Sequence, residues 1–205
     1  MKNQIISKNL CIESLIKEAQ RLELNISNSY LKSYPYFIAY FQAIPELKPE
    51  HLVIGSHMVY GWMPRVLSYN GYDDERVLQL CNKAKRKEGA LLKKEELEYL
   101  KSAINNSMVG LSKLLHFINP QHYAIWDSHI LRYATGISGN PGARVGNVDL
   151  YLNYLKKLEI VAQDKRYPEI EAVVLKKLKV KKDTLYPYRV VEMVMFETQR
   201  GKKKG

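Results

Sequence analysis

The sequence predicts an all-α protein, and three observations support this fold class. Apolar residues recur at spacings of three and four along most of the chain, which is the period of an amphipathic helix. No segment alternates convincingly between apolar and polar residues as a half-buried strand does, and no internal repeat is present. The run Val173–Leu175 has strand-forming residue types, but its flanks are helical in pattern. With 46% hydrophobic and 26% charged residues, the composition is that of a globular chain. We expect one domain over residues 1–200, formed either as a single body or by two helical lobes that share a core.

The first half of the chain predicts a series of helices separated by turns. Helical periodicity places the first three at residues 10–22, at 30–41 with Pro35 near the start, and at 51–60. The tetrapeptide at 61–64, Gly-Trp-Met-Pro, breaks the third helix, and a short helix ending at Tyr69 follows. After a turn at Asn70-Gly71, acidic residues at 73–75 favour the start of another helix. Residues 83–94 are polar and basic, which predicts a connection.

The second half predicts a helical hairpin and four further helices. The hairpin has helices at residues 95–104 and 111–118, joined by residues 105–110. The next helix begins after Asp127, and the glycine-containing stretch 137–147 predicts a loop. The last three helices are expected at 148–162, from Pro168 to Lys177, and at 189–198. A basic linker is expected at 179–183 and a disordered basic tail at 201–205.

The net charge favours a polyanionic partner. The chain has 32 Lys and Arg residues and 21 Asp and Glu residues, which gives a formal net charge of +11. Nucleic acid is the first expectation and an anionic membrane surface the second, although the charge also serves solubility alone. No apolar stretch is long enough for a transmembrane helix, and the N-terminal residues lack the apolar core of a signal peptide. We therefore expect a cytoplasmic protein without a membrane partner, nucleoid-associated when bound to DNA; the sequence makes no prediction of its oligomeric state.

The cysteine and histidine patterns predict no metal and no cofactor. Cys11 and Cys81 lie far apart in apolar helical patterns, which favours buried, reduced thiols. Neither belongs to a CxxC pair or has a histidine neighbour, and His, Asp and Glu do not recur at metal-ligand spacing. No glycine-rich nucleotide-binding loop of the common types is present.

The segment Val109–Arg132, VGLSKLLHFINPQHYAIWDSHILR, is the most specific constellation in the chain. Lys113 opens a short apolar helix that ends at the turn Asn119-Pro120. An apolar stretch, Ala124–Trp126, then places the carboxylate of Asp127 at the N-terminus of the next helix. A lysine and an aspartate on facing helix ends form a plausible catalytic pair, because the amine is a nucleophile and the carboxylate stabilises positive charge. The alternative is structural: Asp127 is an N-cap and Lys113 a solvated helix residue.

This segment resembles the active-site region of helix-hairpin-helix DNA glycosylases, the superfamily that includes endonuclease III-like and oxoguanine glycosylases. The family carries a lysine in a hairpin of the form GVGxK and its aspartate in a motif of the form VDTHxxR. Here the hairpin reads Val109-Gly110-Leu111-Ser112-Lys113, and Trp126–Arg132 reads WDSHILR. One of the two glycines is missing, and the spacing from Lys113 to Asp127 is short for the family. The resemblance implies a helix-hairpin-helix fold with its active site in a cleft between helical lobes. It also implies Asp127 as the catalytic carboxylate and Lys113 as an amine that forms a Schiff base and allows strand cleavage.

Other residues are candidates for contacts with a flipped base and with the DNA backbone. A flipped base needs aromatic walls with a few polar groups. The candidates for the base pocket are Tyr60, Trp62, His116 and Trp126, with His122 and Tyr123 beside them. Each of these is an ordinary core residue in the structural alternative. Gly110 and Ser112 are placed to bind a DNA phosphate through backbone N–H groups, and Arg132 to bind a phosphate or a surface acid. The ordinary residue preferences of a helix N-terminus explain Gly110 and Ser112 equally well.

Together these patterns predict a DNA glycosylase that flips out and excises a damaged or modified base. Its role would be base excision repair or defence against phage DNA with modified bases. A non-catalytic helical nucleic-acid-binding protein is the alternative, because it explains the charge and the hairpin without chemistry. A helical interaction module with incidental basicity is the third possibility.

Overall fold

The computed structural model describes residues 10–24, 29–62, 67–69, 74–86 and 91–201. Over these residues the chain is helical, without a named strand, which confirms the all-α prediction. An isolated bridge joins Tyr69 and Ile104. The α-helices are α1 Ile12–Arg21, α2 Ser29–Gln42, α3 Pro49–Trp62, α4 Glu75–Lys85, α5 Lys94–Ala103, α6 Met108–Ile118, α7 Ser128–Thr135, α8 Val148–Gln163, α9 Tyr167–Leu178 and α10 Pro187–Gly201. A short 3-10 helix spans Gly142–Gly146.

The chain divides into two compact units. Unit 1 comprises Met1–Ile26 and Ile125–Gly205, and unit 2 comprises Ser27–Ala124. Lys113 therefore belongs to unit 2 and Asp127 to unit 1.

Unit 1 is organised around α10, which packs against α1, α7, α8 and α9. The buried face of α10 consists of apolar residues at helical spacing, as the sequence predicts, but it also contains the buried charges of Arg189 and Glu192. Trp126 and Tyr154 are fully buried in this unit and supply its largest core side chains.

Unit 2 is organised around α6, which contacts α2, α3, α4 and α5. Nearly every side chain of α6 is buried, since the helix is apolar on all sides and has no solvated face. The loop before α6 spans Ile104–Ser107, in which Asn105 and Asn106 have left-handed backbones, with φ of 50° and 48°. Asparagine tolerates this conformation better than most residues do.

The start of α6 corrects the predicted hairpin. The connection was predicted at residues 105–110 and a helix opening near Lys113, but the helix begins at Met108. Ser107 is the reason, because its Oγ accepts a hydrogen bond of 3.1 Å from the N–H of Gly110 and so caps the helix. Gly110 and Ser112 are thus helix residues, and Lys113 lies in the middle of α6 rather than at its start.

Several other boundaries differ from the prediction. Helix α4 continues to Lys85, so the predicted connection from residue 83 begins too early. Residues 67–69 are not helical, and residues 173–175 lie within α9. Pro35 lies in the middle of α2 rather than near its start. The predicted turn at 70–71 and the tail residues 202–205 lie outside the described residues, whereas Gly201 ends α10.

Two further predictions concern the cysteines and the membrane. Both cysteines are free; Cys81 is buried as predicted, but Cys11 is partly exposed, because it lies at the start of α1 rather than within it. In the part of the chain that the structure describes, no helix has the length and apolar character needed to cross a membrane.

Candidate functional site

Asp127 is the N-cap of α7, as the structural interpretation of the sequence predicts. Its backbone is extended, and its Oδ1 accepts hydrogen bonds from the N–H groups of His129 at 2.8 Å and Ile130 at 3.0 Å. A short acidic side chain before an amphipathic helix satisfies two amides that the helix itself cannot pair. Both bonds go to the same oxygen, and Oδ2 accepts no hydrogen bond within the described residues. The residue is partly exposed, and its Oδ1 is fixed by the two amides.

The residues before Asp127 hold the cap rigidly in the core of unit 1. Trp126 is fully buried, and its Nε1 donates a hydrogen bond of 2.9 Å to the carbonyl of Val145. Its ring lies 5.1 Å from that of Tyr154 and 6.2 Å from that of Tyr151. The hydroxyl of Tyr154 donates a hydrogen bond of 3.4 Å to the carbonyl of Ile125. Trp126 is therefore a core residue of unit 1, and its predicted role beside a bound base stays a prediction.

Tyr154 on α8 lies near a buried ion pair on α10. Arg189 and Glu192 form an ion pair with both side chains buried. Burial raises the pKa of Tyr154 well above its ordinary value, and the charges of Glu192, Tyr151 and Asp127 raise it further, against an opposing effect of Arg189. Tyr154 is therefore a neutral hydrogen-bond donor. The sequence carries one signal of this group, which is a pair of opposite charges at i and i+3 within an otherwise apolar face.

Lys113 contacts an aromatic ring of unit 2. Its Nζ lies 5.3 Å from the centroid of the Trp62 ring, within cation–π range. The Nε1 of Trp62 donates a hydrogen bond of 3.1 Å to Ser33 Oγ, which fixes the indole on α2. The structure therefore brings two predicted site residues together, Lys113 and Trp62. The pairing of Lys113 with Asp127 stays a prediction.

Trp62 belongs to an aromatic group that we call the Trp62 cluster, formed by Tyr30, Phe37, Trp62 and Phe117. Ring centroids in this cluster lie 5.4 Å from Trp62 for both Tyr30 and Phe117, and 6.3 Å for Phe37. Phe117 is fully buried, whereas Trp62 and Phe37 are partly exposed and Tyr30 is 41% exposed. Tyr30 and Phe37 were not predicted as site residues, because their place beside Trp62 depends on the packing of α2 against α3.

His116 and Tyr123 have the geometry of satisfied core residues. His116 is fully buried, with Nδ1 at 2.8 Å from the carbonyl of Tyr123 and Nε2 at 2.9 Å from Tyr34 Oη. A carbonyl only accepts, so Nδ1 carries the proton and Nε2 of the neutral ring accepts from the tyrosine hydroxyl. Tyr123 Oη accepts a hydrogen bond of 3.0 Å from the N–H of Leu92, and burial raises the pKa of Tyr123 to about 12. His122, the neighbouring candidate, is partly exposed.

Gly110, Tyr60 and Ser112 lie where α3 meets α6. A Cβ atom at Gly110 would contact the hydroxyl of Tyr60 and lie 2.9 Å from two of its ring carbons. The N–H of Gly110 already donates to Ser107, and Ser112 Oγ donates a hydrogen bond of 3.0 Å to the carbonyl of Val109. Packing and capping thus account for these residues as the structure places them, and their predicted phosphate and base contacts stay predictions.

Arg132 holds the residues that follow α7. Its Nε donates a hydrogen bond of 2.8 Å to the carbonyl of Gly139. Its Nη1 is buried and has no hydrogen-bond partner among the described residues. The predicted phosphate contact of Arg132 is not tested by these contacts.

No group of three or more His, Cys, Asp and Glu side chains within the described residues could hold a metal ion. No protein-family model, curated protein or solved structure matches the chain.

Proposed function

We propose that the protein is a DNA glycosylase that takes a damaged or modified base out of the DNA stack and cuts its bond to the sugar. The observation that carries this proposal is the geometry of Asp127. Its Oδ1 is fixed by two backbone amides, while its Oδ2 accepts no hydrogen bond among the described residues and the side chain is partly exposed. The resemblance of the segment around it to the helix-hairpin-helix motifs supports the same chemistry.

The chemistry requires a fixed negative charge beside the sugar. When the bond between C1′ and the base nitrogen breaks, the electron pair leaves with the base and positive charge develops on the sugar ring. A carboxylate already held in place stabilises this charge without reorganisation, and the buried rings of Trp126 and Tyr154 behind it lower the local dielectric. Water then adds to C1′ and loses a proton, which leaves an abasic site.

Lys113 would add a second chemical step, strand cleavage, which can be tested separately from base release. The family resemblance implies that the amine of Lys113 attacks C1′ and forms a Schiff base, after which the strand breaks by elimination. The helix pair α5 and α6, joined by Ile104–Ser107, supports the proposed helix-hairpin-helix element. If the amine takes no part, the protein releases bases by water attack alone.

A base-release assay tests the proposal, and the chain supplies a matched control for it. Duplexes carrying oxidised bases and glucosylated phage-type bases are incubated with wild type, Asp127→Asn and Asp74→Asn. Asp74 caps α4 through Oδ1 at 3.0 and 3.2 Å from two amides, but its Oδ2 accepts a hydrogen bond from Tyr99. Because asparagine caps helices about as well as aspartate, both variants keep their caps and lose one charge.

We expect Asp127→Asn to lower base release by about a hundredfold or more, since one electrostatic stabiliser of a transition state contributes this much. Asp74→Asn should leave base release unchanged. Strand breaks that form without alkali and disappear in Lys113→Ala would establish the lyase step. Equal activity of the two asparagine variants would contradict the role of Asp127.

A non-catalytic nucleic-acid-binding protein is the second candidate. The charge of +11 favours it, and so does the cap, because the cap gives Asp127 a complete structural role. This candidate predicts DNA binding that weakens steeply with added salt and no base release from any duplex tested.

A further inference from the structure

The end of α9 and the loop after it form an exposed basic surface of unit 1. Residues 176–182 read Lys-Lys-Leu-Lys-Val-Lys-Lys, so five lysines lie within seven residues, and one acid, Asp183, follows them. Within the part of the chain that the structure describes, no acid forms an ion pair with the four lysines that are exposed. We call these four the loop lysines: Lys176, Lys179, Lys181 and Lys182.

Hydrogen bonds to backbone carbonyls hold the loop on unit 1. The N–H of Val180 donates a hydrogen bond of 3.2 Å to the carbonyl of Leu175, which closes α9 with a Schellman motif. The Nζ of Lys177 donates to the carbonyls of Gln20 at 2.9 Å and Leu22 at 2.6 Å, which ties the end of α9 to the end of α1. The fifth lysine of the run thus has a structural role, and the loop lysines project from a backbone that it helps to fix.

Lys179 occupies a position at which glycine is the usual residue. It is the left-handed residue that ends the Schellman motif, with φ of 58° and ψ of 38°. A side chain is strained in this conformation, and a glycine would pair the same carbonyls without strain. The dipole of α9 already has Lys176 and Lys177 in the last turn of the helix. Capping therefore does not account for Lys179, and the property that a glycine would lack is the exposed charge.

A partner with closely spaced phosphates fits this surface. The loop lysines come from seven consecutive residues, which extend over about 25 Å at most. Duplex DNA carries one negative charge per about 1.7 Å of its axis, so every loop lysine can reach a phosphate. A segment that docks on a membrane also needs large apolar side chains on the face that enters the lipid. Between residues 176 and 182 the large apolar side chain at the surface is Val180, which is only 37% exposed.

We propose that the loop lysines bind the phosphate backbone of duplex DNA and hold unit 1 on it. The inference rests on the proposed function in taking DNA as the partner, but it requires neither Asp127 nor base release. Contacts between lysines and phosphates carry no information about the bases, so this surface binds undamaged and damaged duplexes alike.

The salt dependence of binding to a short undamaged duplex tests the surface. Each contact between a lysine and a phosphate adds about 0.9 to the slope of log affinity against log salt concentration. We expect Lys182→Gln to lower this slope by about one and the double variant Lys181→Gln/Lys182→Gln by about two. The double variant should also bind about tenfold more weakly at moderate salt, because two released counterions are lost.

Lys165→Gln is the matched control for Lys182→Gln. Lys165 is also an exposed lysine of unit 1, but it precedes α9, whereas the loop lysines lie at the other end of that helix. Twelve helical residues rise about 18 Å, which exceeds the distance of about 10 Å over which exposed charges interact in dilute salt. Lys165→Gln removes the same charge from the whole chain and should leave the slope unchanged.

Lys179→Gly separates the loss of a contact from the loss of the fold. Glycine relieves the left-handed conformation, so the urea midpoint should rise. The affinity for the duplex should nevertheless fall severalfold, and the slope should fall by about one. A residue with a structural role alone would change the urea midpoint and leave the salt slope as it is in wild type.

Three outcomes would overturn the inference. The first is an equal salt slope for wild type and the double variant, and the second is an equal effect of Lys182→Gln and Lys165→Gln. The third is a loss of binding to phosphatidylserine vesicles in the double variant without a loss of duplex binding, which would identify a membrane surface instead.

The proposed glycosylase is tested separately by base release from damaged duplexes. If the loop lysines determine duplex binding but no base is released, the glycosylase proposal fails and the binding surface stands. If wild type releases bases and the lysine variants keep the salt slope of wild type, the binding surface fails and the glycosylase proposal stands.

Discussion

At Gly110, helices α3 and α6 approach so closely that the position has no room for a side chain. The nearest atoms belong to Tyr60, which is itself buried and so has little freedom to move away. The packing of two helices thus requires a glycine at this position, whereas its phosphate contact stays a prediction.

We predict that Gly110→Ala destabilises the protein by about 1–3 kcal/mol, the usual cost of overpacking a core. Gly61→Ala is the matched control, because Gly61 is also helical, yet a Cβ there would meet nothing within 4 Å. Since alanine is the better helix former, Gly61→Ala should be neutral or slightly stabilising. Urea unfolding measures both variants, and Tyr60→Phe should relieve part of the strain in Gly110→Ala. Equal stabilities of the two alanine variants would mean that α3 and α6 separate easily at this point.

At the scale of elements, His116 links three parts of unit 2. It lies on α6, accepts a hydrogen bond from Tyr34 on α2, and donates one to the carbonyl of Tyr123 in the segment after α6. All of these groups are buried, so each hydrogen bond that is lost leaves a polar atom without water.

We predict that Tyr34→Phe destabilises the fold by about 1–3 kcal/mol, since it leaves the Nε2 acceptor of His116 buried and unpaired. In a His116→Leu background that acceptor is absent, so the same Tyr34→Phe change should cost less. A double-mutant cycle of urea unfolding free energies measures this coupling. If Tyr34→Phe costs the same in both backgrounds, the hydrogen bond does not stabilise α2 on α6.

The elements also show which parts of the structure follow from local sequence. The cap at Asp127 and the helix after it were predictable, because an N-cap and its two amides lie within four consecutive residues. The start of α6 was predictable in principle from Ser107, but the predicted start at Leu111 is three residues too late. Local capping chemistry decides where this helix starts.

At the scale of the whole molecule, contacts between distant residues were not predictable. Tyr30 meets Trp62 only because α2 packs on α3, and Tyr154 on α8 lies near the charges of Arg189 and Glu192 only because α10 packs on α8. Periodicity identifies which face of a helix is buried, but it does not identify which helix covers that face. The candidate carboxylate was therefore found from sequence, whereas its polar neighbours and the Trp62 cluster required the structure.

The buried tyrosines give the whole molecule a predictable response to alkali. Burial raises the pKa of Tyr123 and Tyr188 to about 12, from an ordinary value of 10.0. It also raises the pKa values of Tyr133, Tyr154 and Tyr167. In the unfolded chain these phenols would ionise at their ordinary pKa. Their contribution to stability is therefore complete below pH 10.0 and is lost as the pH rises towards 12.

We predict that the urea midpoint of wild type falls between pH 10 and 12 and that tyrosinate absorbance rises together with loss of helical circular dichroism. Lysines also lose their charge in this range, so the control must keep every lysine. Tyr188→Phe meets this condition, because it removes one ionisable phenol and keeps the buried ring. Its midpoint should fall less steeply with pH than that of wild type. Parallel curves for the two proteins would show that the ionisation of Tyr188 does not contribute to the loss of stability.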